Sequence, residues 1–136
     1  MEPLRSAAAI ALTALISPAF AADFDGAKDL ICASQVAIDC TRDGECSDGL
    51  PDSFNIPQMF SIGFRSGTIE ATRPDNSQLR TEIKTRTIDA ERLILQGFEN
   101  GRGWTASISQ QTGNLVITAS GEDVGFIVFG ACVARP

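Results

Sequence analysis

The chain has 136 residues, 17 acidic and 11 basic side chains, a net charge of −6 at pH 7, four cysteines, one tryptophan, and neither histidine nor tyrosine. A chain of this size supports one hydrophobic core, and its acidic balance repels phosphate backbones, so nucleic acid is not an expected partner. The missing histidine removes Ser-His-Asp and Cys-His arrangements, histidine metal sites and the usual haem ligand, so the expectation is a protein that is not an enzyme, with no cofactor and no metal.

The N-terminus carries Arg5, then a small and apolar run over 7–16, then Pro18 and the triplet Ala19-Phe20-Ala21. A positive start, an apolar middle and a small-residue exit are the parts of a secretory signal. They predict a cleavable signal peptide over 1–21 and a single mature domain over 22–136, in the periplasm or secreted. The run falls short of the roughly 20 apolar residues a membrane helix needs, and no second such run follows. No membrane span is therefore expected, and no lipobox cysteine follows the run.

Turn signals divide the mature part about every 8–12 residues, which predicts an all-β fold. Strand-like runs cover 32–40, 58–65, 68–73, 79–87, 92–98, 104–109, 115–120 and 124–133, with 27–37 readable instead as a short helix. Between them lie Ser66-Gly67, Pro74-Asp75-Asn76, Asn100-Gly101, Thr112-Gly113 and Gly121-Glu122-Asp123. Asn-Gly favours a two-residue hairpin because both residues tolerate positive φ. Phe60, Ile62 and Phe64 share one face, and Arg80, Glu82, Lys84 and Arg86 form a polar row. A period of two with one wet face marks an antiparallel sheet. The expected architecture is a small antiparallel up-and-down barrel or meander of about eight strands, stapled by disulfides.

An even cysteine count in an exported chain implies disulfide bonds. If 32–40 is one strand, Cys32 and Cys40 stand about 26 Å apart at roughly 3.3 Å per residue, beyond the reach of a disulfide. A tight loop through Arg42-Asp43-Gly44, with Gly44 left-handed, places Cys40 opposite Cys46. Cys32 is left for Cys132, and in an up-and-down barrel the start of the first strand lies beside the end of the last. No C-x-x-C knuckle competes for zinc.

The acid-rich stretch Asp39 to Gly49 imitates the start of a calcium loop at Asp39, Thr41, Asp43 and Gly44. Leu50 stands where the bidentate glutamate belongs, so a solvated turn is expected. Trp104, after Asn100-Gly101-Arg102-Gly103, is either a core plug at a barrel end or, with Arg102 beside it, a rim contact for a ligand or partner. The run Val124 to Ala131 is apolar on both faces. One face enters the core. The other is covered by the chain itself, through Phe24 or the loop around Phe54, or is a patch for another protein or a second copy. Trp104, Arg102, Phe126 and Phe129 are thus the candidate binding surface, and no catalytic residue is assigned.

The segments Asn100-Gly101-Arg102-Gly103-Trp104, Thr112-Gly113-Asn114-Leu115 and Gly125-Phe126-Ile127-Val128-Phe129-Gly130-Ala131-Cys132, with Cys40 and Gly44-Glu45-Cys46 upstream, resemble a family of small exported proteobacterial proteins. That resemblance covers most of residues 30–133 and brings no activity with it. At fold level, size, export and a terminal disulfide are similar to the periplasmic barrel inhibitors of C-type lysozyme. Two functions follow as expectations: a non-catalytic exported binding or interaction module, or a protein inhibitor of a cell-wall hydrolase such as lysozyme. A small-ligand carrier is a third reading and requires an unfilled barrel.

Overall fold

The computed structural model describes residues 23–136; the expected signal peptide lies outside the described residues, apart from which the chain is almost entirely strand and turn. The strands are β1 (Leu30–Thr41), β2 (Cys46–Gly49), β3 (Met59–Gly63), β4 (Thr68–Thr72), β5 (Gln78–Glu82), β6 (Thr85–Asp89), β7 (Arg92–Glu99), β8 (Arg102–Ser109), β9 (Asn114–Ser120) and β10 (Val124–Ala134). Among the described residues a single 3₁₀ turn, Pro51–Phe54, interrupts them. The helical alternative for 27–37 does not occur: from Leu30 onward that stretch is β1.

All pairings are antiparallel, in the order β5-β4-β3-β1-β10-β9-β8-β7-β6, with β2 added beside the second half of β1. The sheet curls into a half-barrel. Its two edge strands, β5 and β6, are consecutive in the chain. The run expected as one strand over 79–87 is in fact two, separated at Ile83-Lys84. There the Ile83 amide donates to the Gly67 carbonyl on the β4 side, and the Lys84 amide donates to the Gln96 carbonyl of β7. The chain thus leaves one edge of the sheet and joins the other. The polar and apolar residues alternate without a break through 80–87, so the sequence pattern does not reveal this bend. The side chains nevertheless change phase there: Thr81 faces inward in β5 opposite Ile69, but Arg86 faces inward in β6 opposite Leu95, so the expected polar row Arg80, Glu82, Lys84 and Arg86 does not share one face.

Both disulfides form as the spacing predicts. Cys32 lies opposite Cys132 in the β1–β10 ladder and bonds to it, and Cys40 lies opposite Cys46 in the β1–β2 hairpin and bonds to it. Gly44 has φ +85°, the left-handed value expected of that turn.

The two ends of the barrel differ. At one end Leu30, Ile62, Leu93, Leu95, Ile108 and Leu115 are fully buried around the Cys32–Cys132 bond. The N-terminal segment seals this end. Phe24 packs against the core, its carbonyl accepts from Gln110 Nε2, and Arg86 Nη1 donates to the Gly26 carbonyl. At the other end, formed by the starts of β3, β5 and β10 and the ends of β4, β7 and β9, the side chains do not meet across the middle.

Candidate functional site

The unfilled end holds a cleft of about 370 Å³, open to solvent on one side, within the size range of small-molecule sites. Its walls are apolar: Phe60 of β3, Ile69 of β4, Leu79 of β5, Ile117 and Ala119 of β9, and Phe126 and Val128 of β10. Strand alternation puts them there. In β10 the buried positions are Val128, Gly130 and Cys132, so Phe126 points inward with them, while Ile127, Phe129 and Val133 point outward.

Trp104 closes one side of the cavity. It stands inward on β8 opposite Gly97 of β7, and a Cβ at Gly97 would collide with its ring and with the Glu82 carbonyl. The glycine therefore lets the indole and the end of β5 both approach the inner face of β7. Trp104 Nε1 donates to Thr81 Oγ1 at 3.1 Å, and Thr81 Oγ1 donates to the Phe98 carbonyl at 3.5 Å. This chain ties the edge strand β5 to β7 and β8 and satisfies the indole N–H, leaving the ring as apolar wall.

The buried end of the cavity carries Ser34. A β-bulge separates Ser34 from Val36 in the β1–β10 ladder, and bulges re-aim side chains. Gly130 opposite allows the close approach: a Cβ there would collide with the Ala33 carbonyl. The Ser34 amide donates to the Gln58 carbonyl. Its side chain, in a residue only 9% exposed, has an Oγ with no hydrogen-bond partner among the described residues. A buried hydroxyl without a partner carries a desolvation penalty of about 1–3 kcal/mol.

Over the mouth lies the loop Phe54-Asn55-Ile56-Pro57, which follows the 3₁₀ turn. Asn55 adopts φ +55°. Its Nδ2 donates to Asp75 Oδ2 at 2.9 Å, and its Oδ1 accepts from the Asp75 amide at 3.2 Å. The Ser77 hydroxyl and amide and the Asn55 side chain beside it hold the Asp75 carboxyl below the usual carboxylate range. The loop is thereby clamped to the β4–β5 turn. The rim is charged: Arg73, Glu99 and Arg102 all border the cavity. Arg102 lies over the Phe126 ring, 5.7 Å from its centroid. Among the described residues neither Arg73 nor Arg102 forms an ion pair.

Three of the four residues expected as a binding surface, Arg102, Trp104 and Phe126, converge on this cavity. Phe129 does not: it is 42% exposed on the outer wall. It stands in register with Val36 of β1 and Val116 of β9, beside Ile127. Neither Phe24, at the sealed end, nor Phe54, at the mouth, covers this apolar stripe. Sequence reasoning missed Ser34, Arg73, Thr81 and Glu99, which are ordinary strand and turn residues until the sheet curls. The loop had one legible signal, two apolar side chains, Phe54 and Ile56, between Pro51 and Pro57. The acid-rich hairpin behaves as a solvated turn, exposed from Thr41 to Asp48. Among the described residues no cluster of three or more metal-ligating side chains occurs, and no helix is long and apolar enough to cross a membrane.

Compared with known family models, curated proteins and solved structures, the chain matches none.

Proposed function

We propose that the protein is a non-catalytic binding module of the periplasm or the secreted space, and that it takes a small ligand into the open end of its barrel. One observation carries this reading: the barrel is packed at one end and hollow at the other, and the hollow is walled by apolar side chains and bordered by the Phe54-Asn55-Ile56-Pro57 loop. A barrel shaped only for stability would fill that space, because voids cost packing energy. The residue inventory supports a role without catalysis. There is no histidine, and all four cysteines are in disulfides, so the usual activated nucleophiles are missing. Paired cysteines also suit an oxidising compartment. Ala119→Leu should fill the hollow, keep or raise the melting temperature, and abolish ligand-dependent stabilisation. Turnover of peptide, ester or peptidoglycan by the purified protein would overturn the reading.

The exposed stripe of Val36, Val116, Ile127 and Phe129 favours a second reading, a protein partner on the outer wall of β10. With a net charge of −6, the fitting partner is a basic protein, and a cell-wall hydrolase such as lysozyme belongs to that class. In a lysozyme assay at low salt, this reading expects inhibition by the wild type and none by Phe129→Ser. An unchanged rate with the wild type removes it.

A further inference from the structure

We infer that the ligand of the open end is an uncharged molecule with a hydrocarbon body, held by burial of that body rather than by an ion pair or a hydrogen bond. This rests on the cleft being the binding site. Its chemistry follows from what lines the walls and from what the surrounding polar groups already bind.

The walls are hydrocarbon. Ile69, Leu79, Ile117 and Val128 supply branched aliphatic surface from four strands, and Phe60 and Phe126 extend it. The loop over the mouth continues the same surface with Phe54 and Ile56. Removing apolar area from water stabilises a complex in proportion to that area and demands no particular direction of approach.

The polar groups around these walls are engaged by the protein itself. Trp104 Nε1 donates to Thr81 Oγ1, which donates to the Phe98 carbonyl. Asp75 takes both polar atoms of the Asn55 amide. Arg73 Nη1 donates to Ser77 Oγ and to the Gln78 carbonyl. Ser34 Oγ is buried out of a ligand's reach. That leaves Glu99, Asn100 and Arg102 at the β7–β8 turn, where Glu99 and Arg102 are cross-strand neighbours of opposite charge. Ser77 and Asn55 hold the Asp75 carboxyl ionised, so Asp75 and Glu99 offset Arg73 and Arg102 around the mouth, and neither sign of ligand charge is favoured. A charged group drawn inside would lose its water and find no partner.

Two series of probes test this at neutral pH. In 1-hexanol, 1-octanol and 1-decanol only the hydrocarbon grows; decanoate and decylammonium replace the decanol head by an anion or a cation. Trp104, the only tryptophan of the chain, borders the cleft, so its emission reports occupancy while calorimetric titration of the mature protein gives the affinity. Each added methylene should tighten binding roughly threefold to fourfold, the equivalent of burying one CH₂. Neither charged analogue should bind tighter than decanol, and added salt should leave the decanol affinity unchanged. Arg102→Gln, an exposed position, should leave the affinities for decanol and decanoate unchanged. Ala119→Leu, with Leu79→Phe as a second filling variant checked by its melt, should abolish binding of every probe. If a charged analogue binds on the order of tenfold tighter than decanol, as for a charge-assisted contact, or if chain length has no effect, while the filling variants still block binding, the uncharged class is overturned and the cleft remains the site. If binding survives in both filling variants, or no probe binds, both conclusions fall.

Discussion

The two ends of this barrel are built from the same strands and do opposite things. At the sealed end Leu and Ile side chains fill most of the interior, a disulfide joins the first strand to the last, and Phe24 packs against them. At the open end Ser34, Ala119, aromatic side chains and the aliphatic Ile69, Leu79, Ile117 and Val128 line a space without filling it. The lesson is a division of labour. Stability concentrates where packing is dense, and the other end is free to stay hollow because the closed end and the β1–β10 staple hold the curl.

The largest test of that division is the Cys32–Cys132 bond. Its partners are 100 residues apart in sequence, and the chain-entropy argument assigns such a closure about 4–5 kcal/mol. Replacing both cysteines by Ala should lower the urea midpoint by a corresponding amount. Replacing Cys40 and Cys46, separated by 6 residues, should cost only about 2 kcal/mol. Equal losses would mean that the staples do not act on different loops.

Side-chain truncation sharpens the comparison next. Leu95 is fully buried in the sealed end, so Leu95→Ala should cost about 3 kcal/mol, whereas Ile117→Ala, beside an existing space, should cost about 1 kcal/mol. Chemical melts of the two variants read the difference directly, and a reversed order would place the core at the wrong end. Within one strand, Phe126→Ser should cost about 2 kcal/mol, because Phe126 lines the cavity beneath Arg102. Phe129→Ser should stay within about 0.5 kcal/mol of wild type, because its ring is on the outer wall. Two large losses would show that the outer wall is covered after all.

The smallest expected effect belongs to the lid. The Asp75 carboxyl is held below its usual range by Ser77 and Asn55, so it favours the folded arrangement above that range. That contribution is lost as pH falls through it. Amide exchange of Ile56, whose N–H donates to the Pro51 carbonyl, should accelerate relative to core amides as the carboxyl protonates. Asn55→Ala should show the faster relative exchange already at neutral pH. A ratio of lid to core exchange that is flat with pH in the wild type would disconnect Asp75 from the lid.

Residue types and local spacing were enough for the strand-rich class, most strand positions, the two-residue periodicity and both disulfide pairs. These depend on short-range rules: side chains alternate along a strand, glycine permits a tight turn, and a strand cannot fold back between Cys32 and Cys40. Arg102, Trp104 and Phe126 could be selected in the same way, because an indole after a hairpin and an apolar run on both faces stand out locally. Tertiary structure alone decided the rest. The direction of Phe126 and Phe129 depends on the register of β10 against β1, with a bulge beside Ser34 that has no sequence marker of its own. The bend at Ile83-Lys84 leaves the polar–apolar pattern of the sequence unbroken while it exchanges one hydrogen-bonding neighbour for another and shifts the inward face by one residue. The cavity exists only because residues from β1, β3, β4, β5, β7, β8, β9 and β10 meet across a curled sheet. Whether such a meeting fills or leaves a space depends on the summed volumes of side chains distant in sequence, a quantity that no local pattern encodes.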